Sequence, residues 1–424
     1  MAAPHAAVRS AAEGERRRVV VAGAAGNTVE WFDWTVYALF AVYFSEQFFP
    51  SSDEFASLLS TFAVFAVGFL ARPLGSVLLG RIADRRGRKA ALSVSILMMA
   101  GASLAIALLP TADRIGVAAA VLLVVLRLVQ GLSLGGETAA VGAYLVESAP
   151  DGRRGRFGSV YPMTLMIGTV LGSLTGLLLT AVLTGEQMKD FGWRIPFVIG
   201  GLMGLIGFFV RRGAHEPLDT SHGHEQAPIR RSLREHRGAA AAVFVLVGAA
   251  GLSFFGLVAG FPTLAKFYGV GGEAAFEANT IGLALMAVLV PLLGVLSDRV
   301  GRRPVLAFGM LGVALTAVPA IALLADGQPM IAQLLIVVPE AAMQAALMVA
   351  LIERFPTSLR GTGFGAIWAL SVALIGGTAP LISTALESRG LAWAFPWYVA
   401  VWCLAAGVVT LRMRETAFQP LPHG

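Results

Sequence analysis

The sequence predicts an all-α membrane protein built from twelve transmembrane helices in two pseudo-symmetric six-helix bundles. Hydrophobic residues make up 56% of the 424 residues, charged residues make up 14%, and the mean hydropathy is +0.74. This composition lies far outside the range of soluble globular domains. A ten-residue signature occurs around Asp84 and again around Asp298, about half the chain further on, which indicates that the two halves repeat one unit.

Twelve apolar stretches are long enough to cross a bilayer, which requires about 20 helical residues. They occupy 19–44, 55–79, 90–109, 115–147, 157–184, 192–211, 239–267, 276–297, 305–325, 329–355, 361–386 and 392–412. The first begins like a signal peptide, with basic residues followed by small ones. Because its apolar character continues to Phe44, we interpret it as an uncleaved span.

The repeated signature follows the second and the eighth of these stretches. It reads Gly80-Arg-Ile-Ala-Asp84-Arg85-Arg-Gly87-Arg88-Lys89 in the first half and Gly294-Val-Leu-Ser-Asp298-Arg299-Val-Gly301-Arg302-Arg303 in the second. A second motif, Glu-x-x-Pro-x-x-x-Arg-Gly, recurs at 147–155 and 353–361. Because both motifs lie at matching places between apolar stretches, each half is predicted to be a helix bundle.

Basic residues are concentrated in alternate loops, although the net charge is only +6. The positive-inside rule therefore predicts a multi-pass protein of the cell membrane with both termini in the cytoplasm. The charge indicates orientation and not a nucleic-acid partner. The predicted organisation is an N-terminal tail (1–18), a first bundle (19–211), a cytoplasmic linker (212–238), a second bundle (239–412) and a C-terminal tail (413–424).

Four histidines in the linker, including a His-Gly-His pair, raise the question of a metal site. No cysteine and few acidic residues lie nearby, so a solvated linker is the better interpretation and no metal site is predicted. Cys403 is the only cysteine and has an apolar setting, which predicts a packing role.

Further motifs occur in the first half. The first span contains Gly26-Asn27-Thr-Val-Glu30-Trp31-Phe32-Asp33-Trp34 and is followed by Phe48-Phe49-Pro50, the second contains Arg72-Pro73-Leu74-Gly75, and the fourth contains Arg127-Leu-Val-Gln130-Gly131-Leu-Ser-Leu-Gly135-Gly136-Glu137. With the repeated loop signature, they resemble the metabolite:proton symporter family of the major facilitator superfamily over residues 17–412. The resemblance implies a proton-coupled carrier whose two bundles rock around a central site. Members of that family carry α-ketoglutarate, citrate, shikimate, or proline and betaine.

Polar residues on the first span form one stripe. Asn27, Glu30, Trp34 and Tyr37 follow steps of 3, 4 and 3, which place them on one helix face, with Asp33 beside it. Ionisable groups inside a bilayer are costly, so each is a candidate functional residue. We expect Glu30 or Asp33 to carry the coupling proton, and the remaining residues of the stripe to contact substrate.

The fourth span offers a second polar face, formed by Arg127, Gln130 and Glu137. Glu137 is a third candidate for the coupling proton. A guanidinium matches a carboxylate bidentately, so we expect Arg127 to bind an anionic substrate, with Arg72 at a similar depth. The alternative is that these acids and arginines form fixed structural ion pairs.

Other spans add polar and aromatic groups that could complete the site, with core or lipid-facing packing as the alternative for each. These candidates are Tyr161, Phe254, Phe255, Glu340, Gln344 and Trp368. The repeated loop motifs are predicted to form a gate on the inner side, where Asp84 and Asp298 accept from helix N-terminal amides, and Arg88 or Arg302 pairs with Glu147 or Glu353. The complete predicted gate is Asp84, Arg88, Glu147, Arg154, Asp298, Arg302, Glu353 and Arg360.

The predicted function is secondary active transport, not enzymatic catalysis, by proton-coupled uptake of a small organic acid such as α-ketoglutarate. Export by proton exchange and symport of a zwitterion remain alternatives. Gly172 is followed by Ser173, where drug antiporters of the superfamily commonly have a Gly-Pro pair, which argues against drug export. No ATP-binding loop occurs. We expect a monomer in the lipid bilayer with a small-molecule substrate, the proton as coupling ion and no cofactor.

Overall fold

The structure, a computed structural model, describes the backbone of residues 3–134, 137–212, 234–360 and 362–422. It describes their side chains except at 3–25, 80, 83–84, 88–89, 137–140, 210–212, 358 and 362. All regular secondary structure in these residues is helical, so the predicted all-α fold is confirmed. The predicted roles of the Asp84, Arg88 and Glu137 side chains fall outside the described residues.

The first half contains the helices that correspond to the first six predicted spans. In chain order they are Ala3–Phe48, Glu54–Leu70 with Arg72–Arg86, Arg88–Leu108, Ala112–Ile115 and Ala118–Ser133 with Glu137–Glu147, Arg154–Gly158 with Val160–Val182, and Gly185–Gln187, the π-helical Met188–Gly192 and Arg194–Arg212. The first helix begins at Ala3 and contains the whole predicted first span, 19–44. The predicted fourth span, 115–147, contains the described helices Ala118–Ser133 and Glu137–Glu147.

The second half follows the same plan. Its helices are Arg237–Ser253 with the π-helical Phe254–Val258 and Phe261–Phe267, Gly272–Val300, Arg302–Ala325, Pro329–Ile352, Thr357–Arg360 and Thr362–Ser371 with the π-helical Val372–Gly376 and Ala379–Glu387, and Ala394–Arg412. Within the described residues, nine helices are long and apolar enough to span a membrane. A tenth is added if the bent pair Gly185–Gly192 and Arg194–Phe209 is one span.

A glycine in the repeated signature has the same conformation in both halves. Gly87 has φ 84° and ψ 159°, and Gly301 has φ 104° and ψ 162°, and each directly precedes the next helix. Side chains rarely tolerate this region of backbone space, so glycine is required at the turn. The turn reverses the chain between the second and third spans and between the eighth and ninth.

Close helix packing positions the interior polar residues. The first span packs against the fifth and sixth, and the tenth packs against the eighth and ninth. Glycines allow the closest approaches, with Gly131 against the backbone of Gly68 and Gly168 against the backbone of Thr28. The fifth span contacts the eighth and the second contacts the eleventh, so the two halves face each other across a central interface.

Candidate functional site

A small cavity of about 50 Å³ lies between the two halves. The first half lines it with Trp31, Arg72 and Tyr161 among others, and the second half with Phe254, Phe255, Gln344 and Trp368 among others. Ligand pockets typically measure about 300–1,000 Å³, so a substrate requires the halves to separate. Two π-helical segments border the cavity, because Phe254 of the segment Phe254–Val258 and Val372 of the segment Val372–Gly376 both line it. Such segments are frequent at functional sites.

Arg72 is the basic residue of this cavity. Its guanidinium carbon lies 4.1 Å from the ring centroid of Phe69, 4.5 Å from that of Trp34 and 5.7 Å from that of Trp31. Its Nε and Nη2 are buried and donate no hydrogen bond to a described atom, although Glu30 is an electrostatic neighbour. A buried donor without an acceptor costs about 1–3 kcal/mol, so this guanidinium favours an anion beside it.

Arg127 lies elsewhere, fully buried inside the first half and not among the residues that line the cavity. Its guanidinium carbon is 4.1 Å from the ring centroids of both Trp34 and Tyr37. Its Nη1 donates a 2.8 Å hydrogen bond to Gln130 Oε1. The sequence pattern favoured Arg127 for binding an anion, whereas the geometry favours Arg72, because only Arg72 lines the cavity between the halves.

A buried polar network joins the first, third and fourth spans. Asp33 accepts hydrogen bonds from Ser103 and from Gln130 Nε2, the latter at 2.5 Å, and Gln130 also links this carboxylate to Arg127. Asp33 forms no salt bridge of 4.0 Å or less among the described residues. Sequence reasoning missed Ser103, because a serine in an apolar span carries no distinguishing signal.

The other candidates of the first span contact their own bundle. Asn27 Nδ2 donates to the backbone oxygen of Tyr161 at 3.1 Å and to Thr164 Oγ1 at 2.7 Å. The Tyr37 hydroxyl donates to the backbone oxygen of Thr61 at 3.2 Å. Neither residue lines the cavity, nor does Trp34. Trp31 of the first span does line the cavity. The sequence feature that could have identified it is its position next to Glu30 in the motif.

Glu340 is a buried acid in the middle of the tenth span. Glu340 accepts hydrogen bonds from Ser253 Oγ at 2.8 Å and from Gln344 Nε2 at 2.9 Å. It was predicted to contact substrate, but it is not among the residues that line the cavity, unlike Gln344.

At the basic end of the bundle, defined by Arg154, Arg302 and Arg360, the two halves are joined by a carboxylate. Asp298 accepts hydrogen bonds from the backbone N–H groups of Gly155 at 2.7 Å and Arg156 at 2.8 Å, at the start of a helical segment in the opposite half. Arg302 Nη1 donates to Asp298 at 2.8 Å within the second half.

Two ion pairs also cross between the halves at the basic end. Arg154 lies 3.5 Å from Glu353, and Arg360 lies 2.8 Å from Glu147. Arg302 pairs with Glu353 at 3.3 Å, but both belong to the second half. The predicted pairing of Arg302 with Glu353 is therefore present, but it does not bridge the two halves. The crossing cations come from the second repeated motif, because its arginines lie at the starts of the fifth and eleventh spans.

The C-terminal segment covers these contacts. Glu415 accepts backbone hydrogen bonds from Arg302 and Arg303 at 2.9 and 3.0 Å, and Thr416 Oγ1 donates to Glu353 at 2.6 Å. Arg154 of the first half donates to the backbone oxygen of Gln419 at 2.9 Å. The segment thus contacts both halves.

At the opposite end, defined by Glu54 and Lys266, the halves also touch. Lys266 pairs with Glu54 at 2.5 Å, and the rings of Phe55 and Phe267 are 5.9 Å apart. Deeper in the interface, the hydroxyls of Ser173 and Thr280 are 2.9 Å apart. The cavity therefore lies between two ends that are both bridged.

Comparison with known proteins agrees with this architecture. Residues 23–283 match the family described as Major Facilitator Superfamily, and residues 262–423 match the family described as Sugar (and other) transporter. The chain belongs to the major facilitator superfamily and is a multi-pass membrane transporter.

Its relatives confirm the subgroup that the motifs resemble, the metabolite:proton symporters. Alpha-ketoglutarate permease of Escherichia coli strain K12 is 36% identical over 417 residues, covering 94% of each chain. The citrate-proton symporter of Klebsiella pneumoniae is 34% identical, covering 88% of this chain and 86% of that one. The ectoine/proline transporter ProP of Corynebacterium glutamicum is 34% identical, covering 93% and 83%.

Solved structures support the fold. The crystal structure of a D-xylose-proton symporter has a TM-score of 0.78 at 17% identity, covering 96% of this chain and all of that one. The inward-open xylose transporter XylE from E. coli has a TM-score of 0.74 at 16% identity, covering 95% and 97%. At this identity the likeness establishes the major facilitator fold alone.

Proposed function

We propose that the protein couples proton entry to the uptake of a small organic acid that carries at least one carboxylate, a di- or tricarboxylate such as α-ketoglutarate. The observation that carries the proposal is Arg72, a guanidinium with two unsatisfied donors at the wall of an otherwise largely apolar and aromatic cavity. A substrate carboxylate would satisfy both donors with charge-assisted hydrogen bonds.

The rest of the cavity suits a short organic anion. Trp31 and Phe255 stack with ring centroids 6.0 Å apart across the interface, and they offer flat apolar walls. Gln344 and Tyr161 add polar groups for a second carboxylate or a carbonyl. The relatives named for α-ketoglutarate and for citrate support this substrate class.

Coupling follows from the acids near the two arginines. Glu30 is the acidic group among the electrostatic neighbours of Arg72, so a proton on Glu30 would leave the guanidinium charge available to the substrate anion. Proton and anion then bind together, which is the linkage that symport requires. Asp33 with Gln130 and Arg127 is a second place where a proton can be held.

Alternating access moves the bound pair across the membrane. The contacts at the basic end and at the opposite end would break in turn while the two bundles rock around the cavity. The transporter is expected to act as a monomer in the bilayer, without a metal or organic cofactor. Among the described residues no cluster of three or more His, Cys, Asp or Glu has metal-binding geometry.

A zwitterion is the second candidate substrate. Trp31, Phe254, Phe255 and Trp368 line the cavity, and aromatic faces attract quaternary ammonium groups. The relative named as an ectoine/proline transporter supports this alternative. Export by proton exchange uses the same machinery in the reverse direction, and the cavity geometry favours neither direction.

The test is counterflow with the full chain reconstituted in liposomes. The panel comprises α-ketoglutarate, citrate, shikimate, proline and glycine betaine, each with and without an imposed proton gradient. We expect α-ketoglutarate or citrate to exchange and to accumulate only with the gradient. Exchange of betaine and proline without any organic acid would contradict the anion proposal, and accumulation that ignores the gradient would contradict the coupling.

A further inference from the structure

The second half contains a fully buried carboxyl group that the proposed substrate and gate contacts do not use. Glu340 has no exposed surface, and the groups that hydrogen-bond to it, Ser253 and Gln344, are both neutral. No basic side chain pairs with it among the described residues. An ionised carboxylate in such a setting costs several kcal/mol, whereas a protonated one does not.

The hydrogen bonds of Ser253 accommodate a protonated Glu340. Ser253 Oγ lies 2.8 Å from Glu340 Oε2 and 3.2 Å from the backbone oxygen of Ala250, but a hydroxyl has one proton. If Glu340 is ionised, the hydroxyl donates to it and leaves Ala250. If Glu340 is protonated, the carboxyl donates to Ser253, which donates to Ala250, so both short contacts are hydrogen bonds.

A second titratable group, a thiol, lies close by. The thiol of Cys403, on the last span, lies close to Ser253 and Glu340. Gln344 on the same helix turn as Glu340 and Ala250 on the same turn as Ser253 both line the cavity between the halves. Of the two hydrogen-bond partners of Glu340, Gln344 therefore lies at the cavity wall, and Ser253 lies within one helical turn of a residue at that wall. This wall is the surface that opens when the halves separate.

We propose that Glu340 is a proton-binding site of the second half, which holds its proton while both ends are bridged and exchanges it through the cavity when the halves separate. The inference rests on the proposed proton-coupled function, and it places a proton carrier in the half opposite Glu30 and Asp33. Gln344 would transmit the protonation state of Glu340 to the cavity, because its amide donates to the Glu340 carboxyl and its side chain also lines the cavity.

Infrared difference spectroscopy of the full chain in liposomes, with a pH jump and no substrate, tests this directly. We expect a carbonyl band of a buried protonated carboxyl that disappears reversibly at alkaline pH. Glu340→Gln should remove the band, and Ser253→Ala should shift its frequency because one hydrogen bond is lost. Glu277→Gln, which changes an exposed acid on the eighth span, is the matched control and should leave it unchanged.

Bands of Glu30 or Asp33 would be present in both proteins, so the inference is overturned by a difference spectrum that Glu340→Gln leaves unchanged. If Glu340→Gln fails to fold, a spectrum that Ser253→Ala leaves unchanged overturns it. Gradient-driven accumulation of α-ketoglutarate, measured in parallel, separates this failure from failure of the proposed function. Accumulation in the wild type that is unchanged in a folded Glu340→Gln contradicts a coupling role for Glu340 only. No gradient-driven accumulation of any panel compound in the wild type contradicts the proposed function, whatever the infrared result.

Discussion

Two buried arginines of the first half have similar sequence signals but different surroundings. Both guanidinium groups lie within 4.5 Å of the Trp34 ring centroid, so the tryptophan packs against both cations. Arg127 is additionally tied to Gln130, inside its own bundle. Arg72 lines the cavity and has Glu30 and Arg127 as charged neighbours, so under the proposed function its interactions should change when an anion binds.

Substitution of Arg72 tests the anion site. We expect Arg72→Ala to eliminate measurable α-ketoglutarate binding, and Arg72→Lys to weaken it by about 2 kcal/mol, roughly 30-fold in Kd, because the planar fork is lost. Arg114→Lys, which keeps the charge of an exposed arginine of the first half, is the control. Isothermal titration of purified protein gives the affinities. Normal binding by a folded Arg72→Ala protein would reassign the anion site to Arg127.

The acids of the first span should separate coupling from binding. We expect Glu30→Gln and Asp33→Asn to abolish gradient-driven accumulation while substrate exchange continues, because exchange requires no net proton movement. Accumulation and counterflow in liposomes measure the two activities. Glu46→Gln changes an exposed acid on the same helix and serves as the control. Normal accumulation in both variants would move the proton site of this half to Glu137.

At the scale of elements, one glycine turn serves both the backbone and the C-terminal segment. Gly301 has a positive φ, and a Cβ there would collide with the carboxylate of Glu415. We expect Gly301→Ala to lower the free energy of unfolding by about 1–3 kcal/mol from backbone strain and to displace the segment. Gly269→Ala is the control, because Gly269 also has a positive φ but a Cβ there would meet no described atom within 4 Å. If Gly301→Ala and Gly269→Ala lower the unfolding temperature equally, the proposed collision with the Glu415 carboxylate is contradicted.

The C-terminal segment should release from the basic end on acidification. Glu415 is half-buried, which raises the pKa of its carboxyl, but backbone N–H donors outweigh burial and hold this pKa below its ordinary value. A carboxyl with a depressed folded pKa stabilises the docked form above its ordinary pKa and loses that contribution as pH falls through the folded value. Docking should therefore persist at neutral pH and weaken only in acid.

Distances between spin labels at positions 421 and 151 measure this docking. We expect the distance to lengthen in acid in the wild type, and in Glu415→Gln to be longer already at neutral pH and independent of pH in that range. A distance that does not respond to pH in the wild type would show that Glu415 does not control the segment.

At the scale of the whole molecule, the two ends are bridged by contacts of unequal strength. The Asp298 side chain is 7% exposed and accepts from two backbone amides, and hydrogen bonds to a charged group contribute about 1.5–3 kcal/mol each. The Glu54–Lys266 pair is about half exposed, and such pairs contribute about 0–1 kcal/mol. The basic end is therefore the more strongly held.

Removing each contact should shift the molecule in opposite directions. We expect Asp298→Ala to favour opening at the basic end, and Glu54→Ala to produce a smaller shift toward opening at the opposite end. Pairs of spin labels across each end, measured by double electron-electron resonance, report both populations. A larger shift in Glu54→Ala than in Asp298→Ala would contradict this ranking.

The sequence alone determined the all-α membrane fold and the duplication, because a bilayer forces the backbone into long apolar helices and a repeated motif is visible without coordinates. It also identified Arg72, Gln344 and Trp368 as candidates, since polar and aromatic groups inside spans stand out. The tertiary structure decided which guanidinium reaches the cavity and which arginine crosses between the halves. Helical spacing fixes which residues share a face, but only packing against other helices sets where that face points. In the fourth span, the close approach of Gly131 to the backbone of Gly68 sets this direction.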